Sequence, residues 1–205
     1  MQKTDFKKEL KHLYRPSKAK FSVVDVPAMH FLMLDGHGNP NDNPVYEAAV
    51  SALYAVAYAV KFASKKQLER DFTVMPLEGL WWVEDMHEFS IEDKEAWDWT
   101  MMIMQPEWIT GEMVAAAKAS AAAKKELPAL PQLRFDTYHE ELAVQIMYIG
   151  PYADEAPTIA GLHAFAEEQG YVLAGKHHEI YLSDPRRTAP EKLKTVIRQP
   201  VKPQT

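Results

Sequence analysis

The sequence contains no cysteine, so disulfides and thiolate metal sites are excluded and redox chemistry sets no limit on compartment. No uninterrupted apolar run approaches the ~20 residues of a membrane helix. The N-terminus is polar and basic without the apolar centre of a secretory leader, so the default compartment is the cytoplasm. Phosphate loops are missing too, because Gly36-His37-Gly38 lacks a third glycine and a following lysine. The serines have no nucleophile-elbow context. Eight histidines are present, yet none shows ligand spacing: His177 and His178 are adjacent and would face opposite ways in a strand. His163 and His139 are conceivable axial ligands for a haem, but lone histidines are usually structural or exposed. Neither a metal nor a cofactor is expected.

What is present suffices for a sizeable core. Hydrophobic residues make up 47% and aromatics 11% of 205 residues, within reach of one domain or two closely packed modules. The net charge of −6 is uneven. Residues 1–20 carry seven Lys or Arg against two acids, which leaves −11 for the rest. Such an arm could suggest nucleic acid. The plainer reading is an amphipathic helix with Phe6, Leu10 and Leu13 or Tyr14 on its apolar stripe. An acidic body repels phosphates, and 20 residues cannot hold a helix-turn-helix, so no nucleic-acid or membrane partner is expected. Oligomeric state is left open.

The remainder, 21–205, reads as a single domain of two modules. Module one covers about 21–110. It begins with a strand over 21–35 interrupted at Val26-Pro27, because proline removes a ladder donor. A turn follows at 36–40, then Asn43 as the cap of a largely apolar helix over 45–63 with Pro44 at its first position. Strands are expected at 72–74, 79–83 and 97–104, with an acidic loop over 84–95. Thr110 caps a connecting helix over about 110–126, and 128–131 forms a stiff link. Module two covers about 133–201, with strands over 143–149 and 177–182 around a helix over 154–169 closed by Gly170. Thr188-Ala189-Pro190-Glu191 fits a capping box before a last strand at 195–199 and a frayed tail over 200–205. Strand-helix-strand-strand occurs twice, a repeat of pattern without visible identity. The fold class is α+β, with two like modules side by side on a largely antiparallel sheet.

Glu179 stands out. In the strand His177-His178-Glu179-Ile180-Tyr181-Leu182, alternation puts His177, Glu179 and Tyr181 on one face. Ile180 and Leu182 are expected to lie under a helix, leaving Glu179 to face away from it. A mid-strand glutamate in apolar surroundings is costly unless paired or used. Five tryptophans fall between 81 and 108, near Met101, Met102 and Met104. Many must be core, but Trp81 and Trp82 point to opposite faces of an extended segment, so one of them should border a slot. The reading leans to Trp82. Trp99, Met101, Tyr46 and Tyr148 are further ligand-binding candidates, and Glu179 with Tyr181 forms the candidate catalytic pair.

Tyr148-Ile149-Gly150-Pro151-Tyr152, then Gly175, His178-Glu179-Ile180-Tyr181-Leu182, Thr195-Val196-Ile197 and Pro200-Val201 resemble the gyrase-inhibitor-like (GyrI-like) small-molecule-binding family. The resemblance runs from about 21 to 201. It implies duplicated modules with helices on one side of the sheet, a ligand cleft between them, and an acidic ligand contact at Glu179. The family includes effector domains of multidrug-sensing regulators, but no DNA-binding segment is visible here. Some stand-alone relatives look like hydrolases that open reactive cyclopropanes. The implied function is capture of apolar, planar or cationic xenobiotics in an aromatic cleft, with hydrolysis of such compounds. The alternative is a drug-binding or effector-sensing protein without catalysis, and a surface-mediated interaction with another protein is held in reserve.

Overall fold

A computed structural model describes residues 3–41, 43–86 and 93–204. Half of the acidic loop expected over 84–95, residues 87–92, lies outside the described residues. The architecture is α+β, and its main element is an open nine-stranded sheet.

Module one contributes β3 (Met29–His37), α3 (Pro44–Gln67), β5 (Leu77–Trp82) and β6 (Asp98–Gln105). Module two contributes β8 (Glu141–Ile149), α5 (Ala156–Glu168), β10 (His177–Tyr181) and β11 (Lys194–Pro203). The order strand, helix, strand, strand is thus present twice. The break at Val26-Pro27 does more than interrupt a strand. Before it, β2 (Ser22–Val26) pairs with β8, at the outer edge of module two. After it, β3 pairs with β6 and with β7 (Arg134–Tyr138), the first strand of the stretch read as module two. Each module therefore takes its edge strand from chain on the other side of a connection. The main path across the sheet is β2-β8-β11-β10-β5-β6-β3-β7. The two halves meet where β10 runs antiparallel to β5, with Glu179 opposite Gly79.

Both long helices cover one sheet face. Asn43 caps α3 through Oδ1, which accepts from the Val45 and Tyr46 amides at 2.9 and 3.4 Å, and Pro44 occupies the first turn. Ala49, Ala52, Leu53, Val56, Ala57 and Val60 are buried along its inner stripe. Burying a Leu or Val side chain contributes ~1.5–3 kcal/mol, so this stripe anchors module one. By length and composition alone α3 could cross a membrane, with a mean hydropathy of 1.2; here it packs on the sheet and on α4 (Gly111–Ala122), which Thr110 caps. The helix α5 packs Leu162 and Ala166 on Val144, Ile146, Ile197 and Val201.

The opposite face is covered by the N-terminal arm. In place of one solvated helix, the arm has β1 (Lys3–Thr4), α1 (Phe6–Glu9) and α2 (Lys11–Tyr14), with Leu13 and Tyr14 fully buried. Its carbonyls at His12 and Leu13 accept from Gln145 and Arg198. The strand expected at 72–74 is the two-residue β4 (Asp71–Phe72), which pairs in parallel with β1 outside the main sheet. The docked arm leaves six of its seven basic side chains exposed, but α1 and α2 have only four residues each, too short for a recognition helix, and the rest of the chain carries −11. A gel shift at physiological salt should therefore show no sub-micromolar DNA complex; one that needs residues 1–20 would contradict this.

Two C-terminal expectations are corrected. Thr188 caps nothing: a 3-10 turn, Pro190–Lys192, starts after Ala189 without a side-chain cap bond. The tail is not frayed at 200, since β11 continues to Pro203 and pairs there with β9 (Tyr171–Leu173).

Candidate functional site

Alternation along the seam places His177, Glu179 and Tyr181 of β10 beside Trp81, Gly79 and Leu77 of β5, all on one face. Register extends that face through Met101 and Trp99 of β6, Ile197 and Thr195 of β11, and Ile146 and Tyr148 of β8. The residues α5 packs on belong to it, as does Trp81, on which Tyr46 of α3 stacks at 6.3 Å. Glu179 thus lies under the helices, between α3 and α5, and not away from them. Ile180 and His178 occupy the arm's face. The expectation failed because it assumed a single apolar cover for this strand, whereas the arm supplies a second.

Glu179 is held by its own strand. The Tyr181 hydroxyl donates to Oε2 at 2.8 Å, and His177 Nε2 lies 3.2 Å from Oε1. Trp81 Nε1 donates to the Tyr181 hydroxyl oxygen at 3.0 Å, which fixes that ring. Aromatic rings close the surroundings. Trp97 stands edge-on to Trp81 at 5.2 Å, Tyr46 edge-on to Trp99 at 5.4 Å, and Tyr152 edge-on to Tyr181 at 5.7 Å. The Glu179 side chain keeps 15% exposure, against 4% for His177.

Burial opposes ionisation of Glu179, but the His177 and Tyr181 hydrogen bonds and the Lys94 charge outweigh it and hold its pKa below the ordinary value. Glu155, just before α5, goes the other way. Burial and the neighbouring Glu179 carboxylate push it up to about 9. Tyr46 is raised by burial and by Glu179, and Tyr152 by burial and by Glu155 to about 12, so both stay protonated near neutrality.

The glycine opposite Glu179 makes room for these rings. A Cβ on Gly79 would stand 2.4 Å from Met101 Cε and 2.8 Å from Trp81 Nε1. Gly79→Ala should therefore displace the indole that positions Tyr181, at an overpacking cost of ~1–3 kcal/mol. Thermal melts and ligand titration should show both a lower Tm and weaker binding; unchanged binding would mean that the indole position is unimportant. Gly36 serves likewise beneath Trp99, whose ring would lie 2.1 Å from a Cβ there.

Of the residues singled out from sequence, Glu179, Tyr181, Tyr46, Trp99 and Met101 come together at the seam. Trp99 and Met101 are wholly buried and form its floor. Trp82 does not join them: it lies on the other face, with the Lys176 ammonium 3.1 Å from its ring centroid. Trp81 takes the position beside Glu179, because the β5–β10 register pairs Trp81 with His177. Tyr148 shares the sheet face but stands two strands from β10, and its hydroxyl donates to the Pro151 carbonyl at 3.0 Å. Sequence reasoning did not single out Glu155, Trp97 and Tyr152, and it placed His177 on the Glu179 face without giving it a role. Glu155 looked like any acid near a helix start, and Tyr152 like a turn residue.

A depression of about 480 Å³ lies elsewhere, on the flank of α4, lined by Lys118, Ala122, Leu127 and Leu130. It is open and lacks a convergent set of hydrogen-bonding groups, so the seam is the better candidate.

The GyrI-like small molecule binding domain model matches residues 19–202. A Listeria innocua structure described as an uncharacterized conserved protein is 42% identical, with a TM-score of 0.90, covering 98% of this chain and 100% of that one. A second L. innocua structure, described as a hydrolase, is also 42% identical, with a TM-score of 0.88 over 98% and 100% of the two chains. The EcmrR C-terminal domain shares the fold at 14% identity and a TM-score of 0.56, covering 90% of this chain and 98% of that one. No curated protein matches. With the family model spanning nearly its whole length and these relatives matching end to end, the chain belongs to the GyrI-like small-molecule-binding domain family.

Proposed function

We propose that the chain captures planar, apolar or cationic foreign molecules between the rings of the seam and hydrolyses those that carry an electrophilic cyclopropane. The observation that carries this reading is a glutamate, Glu179, gripped by Tyr181 and His177 beneath aromatic walls. The 42% identity to a Listeria innocua protein described as a hydrolase supports the catalytic half.

In the proposed reaction Glu179 accepts a proton from water as the water oxygen bonds to a ring carbon. The strained C–C bond breaks, and its electron pair passes through the conjugated system to a carbonyl oxygen, which takes up a proton. One water is added overall. General-base assistance of this kind typically contributes ~10²–10⁴-fold, and strain release lowers what the protein must supply. The Tyr181 hydroxyl is committed to Glu179, so Tyr181 orients the base, and the substrate carbonyl takes its hydrogen bond from Tyr46 or Tyr152. A carboxylate held ionised by hydrogen bonds also suits a cation trap, which favours plain sequestration as the second reading; cation–π contacts with Trp81 and Tyr46 would add ~0.5–2 kcal/mol each.

The test is incubation of an electrophilic cyclopropane with a trace of protein, followed by mass measurement. Product heavier by one water, in many-fold excess over protein, supports hydrolysis. Loss of free compound only up to the amount of protein, with no product, supports sequestration and contradicts turnover.

A further inference from the structure

The C-terminal end of α3 is used by neither reading above. Its last turn carries Lys65 and Lys66, which suit the helix dipole. The dipole does not account for the rings beside them. Phe62 is 60% exposed and Tyr58 48%, and the two follow each other along the outer ridge of α3 with centroids 6.4 Å apart. The Lys61 ammonium lies 5.1 Å from the Phe62 ring centroid and 2.5 Å from Asp71 Oδ1, and Lys65 is 3.6 Å from Asp71 Oδ2. Asp71 pairs in register with Lys3, so the fold brings the start of the arm to this same end. Phe6 and Arg70 meet there too, both against Trp108. Among the described residues, this end exposes five cations, Lys3, Lys8, Lys65, Lys66 and Arg70, against three acids, Glu9, Glu69 and Glu107. It is locally positive in a chain whose net charge is −6.

We propose that this end docks on an anionic phospholipid bilayer, its cations facing the headgroups while Phe62 and Tyr58 enter the interface. The helix does not span the bilayer; it stays packed on the sheet, and only its outer ridge and tip touch lipid. Charge and apolarity together select the partner. Each basic residue near an anionic surface strengthens binding about fivefold. The rings gain further by leaving water, whereas a nucleic-acid duplex offers them no apolar phase. The sequence reading expected no membrane partner because it set the whole arm against the whole acidic body. The fold divides the arm. Lys3 and Lys8 stay beside α3, while Lys18 and Lys20 follow the buried Leu13 and Tyr14 towards β8, where the Ser17 carbonyl accepts from the Met147 amide. Screening over ~8–10 Å keeps the distant acids from cancelling a local patch. Apolar foreign molecules accumulate in bilayers, so docking would bring the protein to them, but the docking does not depend on the seam being their site.

The test is flotation of the protein with phosphatidylcholine vesicles, with and without ~40% phosphatidylglycerol, at ~0.1 M salt. The protein should float with the anionic vesicles, stay behind with pure phosphatidylcholine, and be released as salt rises to ~0.5 M. Lys3→Gln combined with Lys66→Gln should weaken binding roughly 20- to 30-fold, about fivefold for each charge removed. Phe62→Ser should weaken it at least ~fivefold through lost apolar contact. These side chains are exposed, so thermal melts of the variants should match the wild-type protein. Lys18→Gln combined with Lys20→Gln changes the total charge equally and should bind as the wild-type protein does. No flotation with anionic vesicles, equal flotation with neutral ones, wild-type binding by either variant at the α3 end, or an equal loss in the Lys18 and Lys20 control overturns the proposal. So does tighter binding to duplex DNA than to vesicles at matched phosphate, unaffected by Phe62→Ser, which would assign the surface to nucleic acid. The reading of the seam is untouched by any of these results.

Discussion

Glu179→Gln is expected to lower turnover of a cyclopropane substrate by ~10²–10⁴-fold while leaving the affinity for neutral planar ligands nearly unchanged. The amide keeps the shape of the carboxylate but cannot take a proton from water. Tyr181 can still donate to the amide oxygen, so the fold should survive with little change. Under plain sequestration the same variant loses cation affinity and keeps neutral affinity, so kinetics and binding together separate the two readings. A variant that alters neither, or that unfolds, would make Glu179 a structural residue. The His177 and Tyr181 hydrogen bonds and Lys94 hold the Glu179 pKa below its ordinary value, which serves a proton acceptor and a counter-charge for a cation alike, so the variant and not the pKa separates the two readings.

On the opposite face, Arg198→Ala is expected to destabilise the protein by ~3–5 kcal/mol, because it leaves a buried carboxylate uncompensated. Arg198 donates to Glu140 Oε2 at 3.0 Å, to the Leu13 carbonyl at 2.7 Å and to Gln145 Oε1. His178 completes the cluster, with Nδ1 2.9 Å from Glu140 Oε1 and Nε2 3.0 Å from Glu78 Oε2, and Tyr14 donates to Glu78 Oε1 at 2.8 Å. Denaturant unfolding should show the loss, and limited proteolysis should show the arm released first. A change under ~1 kcal/mol would mean that the cluster contributes little. Its pH signature has two sides. Burial works against the charge on both groups, and their partners overcome it. His178 is raised from 6.5 to about 9, so its contribution is present below about 6.5 and is lost as pH rises through 9. Glu140 is lowered from 4.5 to about 2, so its contribution is present above about 4.5 and is lost as pH falls through 2. Glu155, raised to about 9, also weakens the fold as pH rises from about 4.5. Stability should therefore peak near pH 4.5, where the Glu140 contribution is complete and the Glu155 loss begins, fall more steeply above about 6.5 as the His178 contribution is lost, and Arg198→Ala should blunt the acid side.

Local signals carried much of this fold. Asn43-Pro44, Thr110 and Gly170 mark helix ends where they stand, and the alternation of His177, Glu179 and Tyr181 fixes three neighbours of the site from one strand. Choices that depend on partners far along the chain were not local. Tyr14 meets Glu78 across 64 positions and Leu13 meets Arg198 across 185, so nothing near the arm reveals that it forms the second cover of the sheet. That cover decides which face of β10 the helices take. Trp81 and Trp82 differ by one place in register, and a one-residue slip exchanges faces. The reading of 72–74 as part of the module failed for a related reason, since β4 finds its partner in the arm. Glu155 was illegible because its raised pKa and empty cap role depend on a strand that follows it by more than twenty residues.

The most direct test of the central claim is a structure of the protein in complex with a planar aromatic monocation such as an N-methylacridinium. The account predicts the ligand between the rings of the seam, its charge within ~6 Å of the Trp81 or Tyr46 ring and facing the Glu179 carboxylate. A ligand seated instead in the depression beside α4, with the seam unchanged, would contradict it.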